Sequence, residues 1–167
     1  MNNLLLIIDL QEGFRHKESE AIIPKILKLK KCFAGKIVFT KFINKSGSLF
    51  EKQLDWQKFK TNKDQQLFAE LRSKDNLELE HSSYTVLNDK LKKFIAKNKI
   101  TTVYLCGIYT DVCVIKTAMD LFDFNIKTFV IKDATISLHG KNNHLSALNS
   151  LQHILGKQQI ISTNKIC

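Results

Sequence analysis

A cysteine three residues after a threonine, where an apolar run gives way to a helical pattern, is the part of this sequence best suited to chemistry. The run is Leu105-Cys106-Gly107-Ile108-Tyr109-Thr110-Asp111-Val112-Cys113-Val114. Thr102 to Leu105 is rich in β-branched and apolar residues, as a buried strand would be. Val112, Ile115, Met119 and Phe122 then recur at helical spacing. Thr110 is a favourable N-cap, so the pattern predicts a helix with Cys113 in its first turn. Free backbone N–H groups and the positive end of the helix dipole stabilise a thiolate there, which would make Cys113 a nucleophile. The bland alternative is a buried structural thiol, and Cys106, inside the apolar strand, is expected to be one.

The elements that must position such a site follow from periodicity. The apolar stretch from residue 3 reads as a fully buried strand ending in a carboxylate, Asp9. Ser19 can cap a helix with Ile22, Ile26, Leu29 and Phe33 on one face, closed by Gly35. Further strands are predicted at 37–42, 77–80, 102–106, 127–132 and 159–162, the third leading into His81. Helical patterns cover 65–71, Leu87 to Ile95, the cysteine segment, and Leu145 to Ile154. This alternation predicts one domain over residues 1–167, a three-layer α/β/α fold with a six-stranded, mostly parallel, Rossmann-like sheet. Ligands in such sheets bind beyond the carboxyl ends of the strands. Asp9, His81 and the Gly107–Cys113 turn all fall at that edge. Residues 43–61 read as a long loop holding Trp56, and Phe14 lies in the loop after Asp9. Both aromatics are candidates for pocket wall or core.

Composition excludes several classes. The net charge is +10, but only Arg15 and Arg72 of the 26 basic residues are arginines. The lysines are spread along the whole chain, so they read as solvated surface and no nucleic-acid partner is expected. No apolar run approaches the roughly 20 residues that span a membrane, so no membrane association is expected. Met1 to Leu10 lacks the features of a signal peptide. Cys32, Cys106, Cys113 and Cys167 show no CxxC pair and no metal spacing. Free thiols in a reducing cytoplasm are the expectation.

Three blocks resemble the isochorismatase-like cysteine hydrolases, the superfamily that includes nicotinamidases. They are LLLIIDLQEGF, with its D-x-Q pattern at Asp9 and Gln11; CGIYTDVCVIKTAMD; and KDATIS at 132–137, with His144 and Ala147-Leu148 beyond. The likeness runs over nearly the whole chain. It implies an Asp-Lys-Cys triad, with Asp9 and Cys113 at two of its positions. The lysine usually lies three residues before a Y-S-A-F-like stretch, here Tyr84-Thr85-Val86-Leu87, and His81 stands in its place. The resemblance also implies a cis Ile108–Tyr109 peptide that orients oxyanion-binding N–H groups, a pocket including Gln11, Phe14 and Trp56, and a homodimer or homotetramer. The nicotinamidase branch binds a metal through an Asp-x-His and a further His. This chain has Asn44 and Lys45 in that region, so no metal and no other cofactor are expected.

Two functional readings stay open at this point. In the first, a cysteine hydrolase acts on a small amide or related carbonyl compound, with Asp9 as base, Cys113 as nucleophile and His81 in the role of lysine. In the second, the substitution at 81 marks a weakened relative that binds a metabolite or a protein partner through the same pocket.

Overall fold

The first strand is buried on both faces: Leu4, Leu5, Leu6, Ile7 and Ile8 are all inaccessible to water. That is why its sequence shows an unbroken apolar run instead of alternation. In the computed structural model, which describes residues 2–167, it lies at the centre of a six-stranded sheet. The strands are β1 (Asn3–Ile8), β2 (Lys36–Phe42), β3 (Leu77–His81), β4 (Thr102–Ile108), β5 (Lys127–Ile136) and β6 (Ile160–Ile161). Their order is 3-2-1-4-5-6, and every pairing is parallel. The helices are α1 (Lys17–Ala21), α2 (Ile23–Cys32), α3 (Leu49–Lys52), α4 (Asn62–Gln65), α5 (Asp89–Lys97), α6 (Ile115–Asp123) and α7 (Lys141–Leu155).

The period of two along β1 divides the core. Leu4, Leu6 and Ile8 face a layer built with Leu91 and Ile95 of α5, Ala118 and Leu121 of α6, and Leu148 and Leu151 of α7. Leu5 and Ile7 face the opposite layer, with Ile23, Ile26 and Leu29 of α2 and Phe59, Phe68 and Leu71 from the connection between β2 and β3. Strand order reverses between β1 and β4, and the crevice at their carboxyl ends is where such folds place ligands.

Several boundaries differ from the sequence reading. Ser19 does not begin the first helix. It sits at the third position of α1, where its hydroxyl accepts from the His16 N–H and donates to the Phe14 carbonyl. Pro24 follows in the first turn of α2, where its missing N–H is not needed. The segment 65–71 is a 3-10 turn at Ala69–Leu71 preceded by α4. Thr110 does not cap with its side chain. Thr110–Val114 forms one π-helical turn with Tyr109 at the N-cap, and the Thr110 hydroxyl instead meets His144 Nδ1 at 2.8 Å. Asp133 of β5 accepts from the Thr163 N–H and hydroxyl.

The cysteines also correct an expectation. Cys32, at the end of α2, and Cys167 form a disulfide, with Cα atoms 5.7 Å apart. A separation of 135 residues leaves no local spacing signal. The argument for a reducing compartment, which assumed free thiols, therefore loses its support. Among the described residues no helix is long and apolar enough to cross a membrane.

Gly107 shows how tightly the crevice is built. Its φ is +108°, and a Cβ there would lie 2.1 Å from the Ile8 carbonyl oxygen. The β4–β5 register shifts at the same place, between Leu105 and Gly107. Gly107→Ala must both strain the backbone and push β1 from β4. We expect a loss of at least about 3 kcal/mol in unfolding free energy, measured by urea denaturation; a loss under about 1 kcal/mol would show that β4 relaxes freely.

Candidate active site

Asp9 is the first residue past β1 and occupies the left-handed region, with φ +56°. This turns its carboxylate back under the strand ends, where the residue is 1% exposed. Oδ1 accepts two hydrogen bonds, from the Thr40 hydroxyl of β2 at 2.6 Å and from His81 Nε2 at 2.8 Å. His81 is the last residue of β3 and pairs in register with Phe42. The ends of three adjacent strands thus meet at one carboxylate oxygen. Oδ2 is buried and has no donor at hydrogen-bonding geometry.

The second nitrogen of His81 bears on its charge. Nδ1 lies 2.8 Å from the Ser83 carbonyl oxygen, which can only accept. Nε2 faces a carboxylate oxygen that already accepts from Thr40. Both ring nitrogens therefore face acceptors, the arrangement that favours an imidazolium. Burial alone pulls the pKa of His81 down, but the Asp9 charge, the Asp9 hydrogen bond and the Ser83 carbonyl together raise it above the usual value. The ring is 5% exposed and packs edge-on against Phe42.

Cys113 lies in the π-helical turn and is buried. Its thiol pKa stands well above the ordinary value, first because of burial and then because of the nearby Asp9 charge. The helix-terminus stabilisation read from the sequence is outweighed. Burial and the Asp9 charge both favour the neutral thiol over the thiolate. The Ile108–Tyr109 peptide is cis. The Tyr109 hydroxyl is pushed up to about 12 by burial and by the neighbouring Cys113 and Asp111.

A cavity of about 610 Å³ opens onto Cys113. Phe14 and Trp56 line it, as does Tyr109. Gln11 does not belong to this wall. Its amide donates to the Phe42 and Gln65 carbonyls and its oxygen accepts from the Phe42 N–H, so the side chain is spent on joining loops. Phe42, Phe50, Leu54, Tyr84, Lys116, Met119 and the hydrogen-bonded pair His139–Asp111 are also part of the lining. Sequence reading missed these residues. Only the LHG turn at 138–140, beside the nucleophile block in the fold, carried a hint of His139.

The residues after β2 do not fit a divalent cation. The Asn44 amide donates to the Trp56 and Lys58 carbonyls, and its oxygen accepts from Ser48. Its donor set is consumed in shaping the loop that carries Trp56. Among the described residues no group of three or more His, Cys, Asp or Glu side chains is arranged to hold a metal.

Comparison with known proteins gives a consistent result. The Isochorismatase domain family model matches residues 3–163. Over 55 residues, 33% of the chain, the sequence is 42% identical to Isochorismatase domain-containing protein 2 of Rattus norvegicus, and the match spans only 26% of that relative. The chain is similar to a nicotinamidase/pyrazinamidase of Acinetobacter baumanii, at 25% identity and TM-score 0.81, covering 99% of this chain and 98% of that one. It is also similar in fold to an N-carbamoylsarcosine amidase of Thermoplasma acidophilum, at 20% identity and TM-score 0.86, covering 98% of each chain.

The raised His81 pKa has a signed consequence for stability. The native state holds the His81 proton more tightly than the unfolded chain, so this contribution is complete below the unfolded value of 6.5. It is lost as pH rises through the folded value. Urea denaturation should show stability declining from pH 6.5 up to the folded value in the parent, while His81→Gln should lack the decline. The Cys113 thiol acts in a separate window, above its ordinary value of 9.0. A parent curve superposable on that of His81→Gln between pH 6 and 9 would contradict the imidazolium assignment.

Proposed function

The chain belongs to the isochorismatase family of hydrolases, and from that premise we propose that it is a cysteine hydrolase cleaving a small amide or related carbonyl compound through a thioester on Cys113. The observation that carries this reading is the charge arrangement. His81 is held between Asp9 and the Ser83 carbonyl, an arrangement that favours the imidazolium, and the Asp9 charge acts on the Cys113 thiol. Family members use a lysine as the cation; here His81 supplies it.

The chemistry follows from the resting thiol. As Sγ adds to the substrate carbonyl, Asp9 takes the thiol proton, so free thiolate need not accumulate. The backbone N–H groups of Tyr109 and Cys113 are the proposed donors to the developing oxyanion, each worth roughly 3 kcal/mol in comparable sites. Collapse of the tetrahedral species breaks the C–N bond. The leaving amine receives the proton from Asp9, and the acyl group remains on sulfur. Asp9 then removes a proton from water as it adds to the thioester. The C–S bond breaks, sulfur recovers that proton, and the acid departs. His81 keeps its charge throughout and offsets the buried carboxylate.

One observation favours a second reading. The Cys113 thiol is buried and its pKa is high, as suits a relative that binds a metabolite or protein partner without turnover. Time-dependent modification of Cys113 by a small thiol reagent, together with hydrolysis in an amide panel, supports the hydrolase. An unreactive thiol and an inert panel support the binder.

Variants divide the roles. Cys113→Ala and Asp9→Asn should each abolish turnover, with no further loss when combined, because the groups act as one unit. His81→Ala should lower kcat by roughly 10²–10³-fold, the range for losing one fixed electrostatic partner, with KM little changed. His81→Lys should retain or raise activity. If His81→Ala turns over substrate as fast as the parent while Cys113→Ala is inactive, His81 is a bystander.

We also propose a homodimer or homotetramer. Phe122 of α6, Phe124 just beyond it and Leu145 of α7 are 55%, 45% and 50% exposed, and the two helices pack together. An apolar surface of this kind favours self-association. Sedimentation should show an oligomer at micromolar concentration that Phe122→Glu weakens; a monomeric parent would refute it.

A further inference from the structure

A second cavity lies toward the amino end of β1, away from Cys113. It measures about 700 Å³ and shares no lining residue with the first. Asn3, which opens β1, is on its wall. Asp9 follows the other end of that strand, roughly 20 Å away by strand rise. The remaining wall comes from the end of α2, strands β4 to β6 and the segment after β6. The Cys32–Cys167 disulfide staples the end of α2 to that last segment, so the wall is held in place before any ligand arrives.

The wall carries two kinds of group. Phe33, Tyr104 and Phe129 form a continuous aromatic surface. Phe33 meets Tyr104 edge-on with ring centroids 5.3 Å apart, and Tyr104 stacks on Phe129 at 4.9 Å. All three are only partly buried. Lys132, Lys157 and Lys165 supply the charge, and each is exposed. No aspartate or glutamate lines the cavity. Asp133, beside Lys132 in sequence, is turned to Thr163 and Lys25. Charge of one sign along a concave, partly apolar wall focuses a positive potential inside it.

From this pairing of rings and cations we propose a second binding site, for a small aromatic anion: a flat ring bearing a phosphate or a carboxylate. The ring covers the aromatic surface and removes it from water. The lysine ammonium groups donate charge-assisted hydrogen bonds to the anionic group. An inorganic anion alone would leave most of the volume unfilled. A second copy of this chain is disfavoured there, because a two-fold axis through this face would bring the three lysines toward their own copies. The site does not depend on the hydrolase reading.

The experiment uses the whole chain with its disulfide intact, and naphthyl phosphate and naphthoate as probes, followed by ligand-observed NMR. Naphthol and inorganic phosphate test the ring alone and the charge alone. At least one naphthyl anion should bind saturably, and at least about tenfold more tightly than either control. The tighter of the two names the head group. Lys132→Gln and Lys157→Gln should each weaken that binding about tenfold. Both side chains are exposed, so the variants keep the fold. Lys116→Gln, on the wall of the first cavity, should leave binding unchanged. Absence of saturation by both probes overturns the proposal. So does binding that responds to Lys116→Gln and not to the other two variants, which would put the probe in the first cavity. A parent that binds no probe and forms a dimer altered by Lys132→Gln overturns it as well, because a second copy then covers this face.

Discussion

The site depends on one buried ion pair, His81 with Asp9. A carboxylate almost fully removed from water is costly unless it is paired and hydrogen-bonded. Here Thr40 and His81 both donate to the same oxygen, and the Ser83 carbonyl holds the imidazolium from behind. The partners come from β1, β2 and β3, so the pair forms only when the parallel registers Leu6 with Val38 and Phe42 with His81 are in place. The sheet and the site are thus specified together. Loss of the pair would leave a charge stranded at the point where the strands converge.

Much of this could be read from residue patterns. The unbroken apolar run ending in Asp9, the strand-turn-helix signal around Cys113 and the alternation of elements placed all three reactive residues at one sheet edge. That inference needed only strand direction. What escaped was set by contacts between elements. Thr40 looks like any β-branched strand residue until its register puts it beside Asp9. Thr110 has the chemistry of a cap, but His144 from α7 competes for its hydroxyl. The D-x-Q resemblance places Gln11 in the pocket; the loop carbonyls it satisfies come from residues 42 and 65. Phe42, Phe50 and Tyr84 belong to three separate segments and share no period. The helix-terminus argument for a depressed Cys113 pKa was sound for an exposed turn. It failed because burial and an adjacent carboxylate both oppose ionisation.

Histidine in place of lysine changes the physics more than the geometry. A lysine carries its charge across the physiological range, whereas an imidazole needs acceptors on both nitrogens to hold its own. This chain supplies both, one from a side chain and one from the main chain. The consequence is a site whose cation, base and nucleophile are electrostatically coupled. In the proposed mechanism, the proton that Asp9 takes from Cys113 would move next to a charge that Asp9 itself maintains.

The most direct measurement of this account is the ¹⁵N NMR spectrum of His81 in the folded protein across pH 6 to 8. The account gives two protonated ring nitrogens at pH 7 in the parent, and a shift toward a neutral ring when Asp9 is replaced by Asn. A neutral His81 tautomer at pH 7 in the parent, with one nitrogen bare, would contradict it.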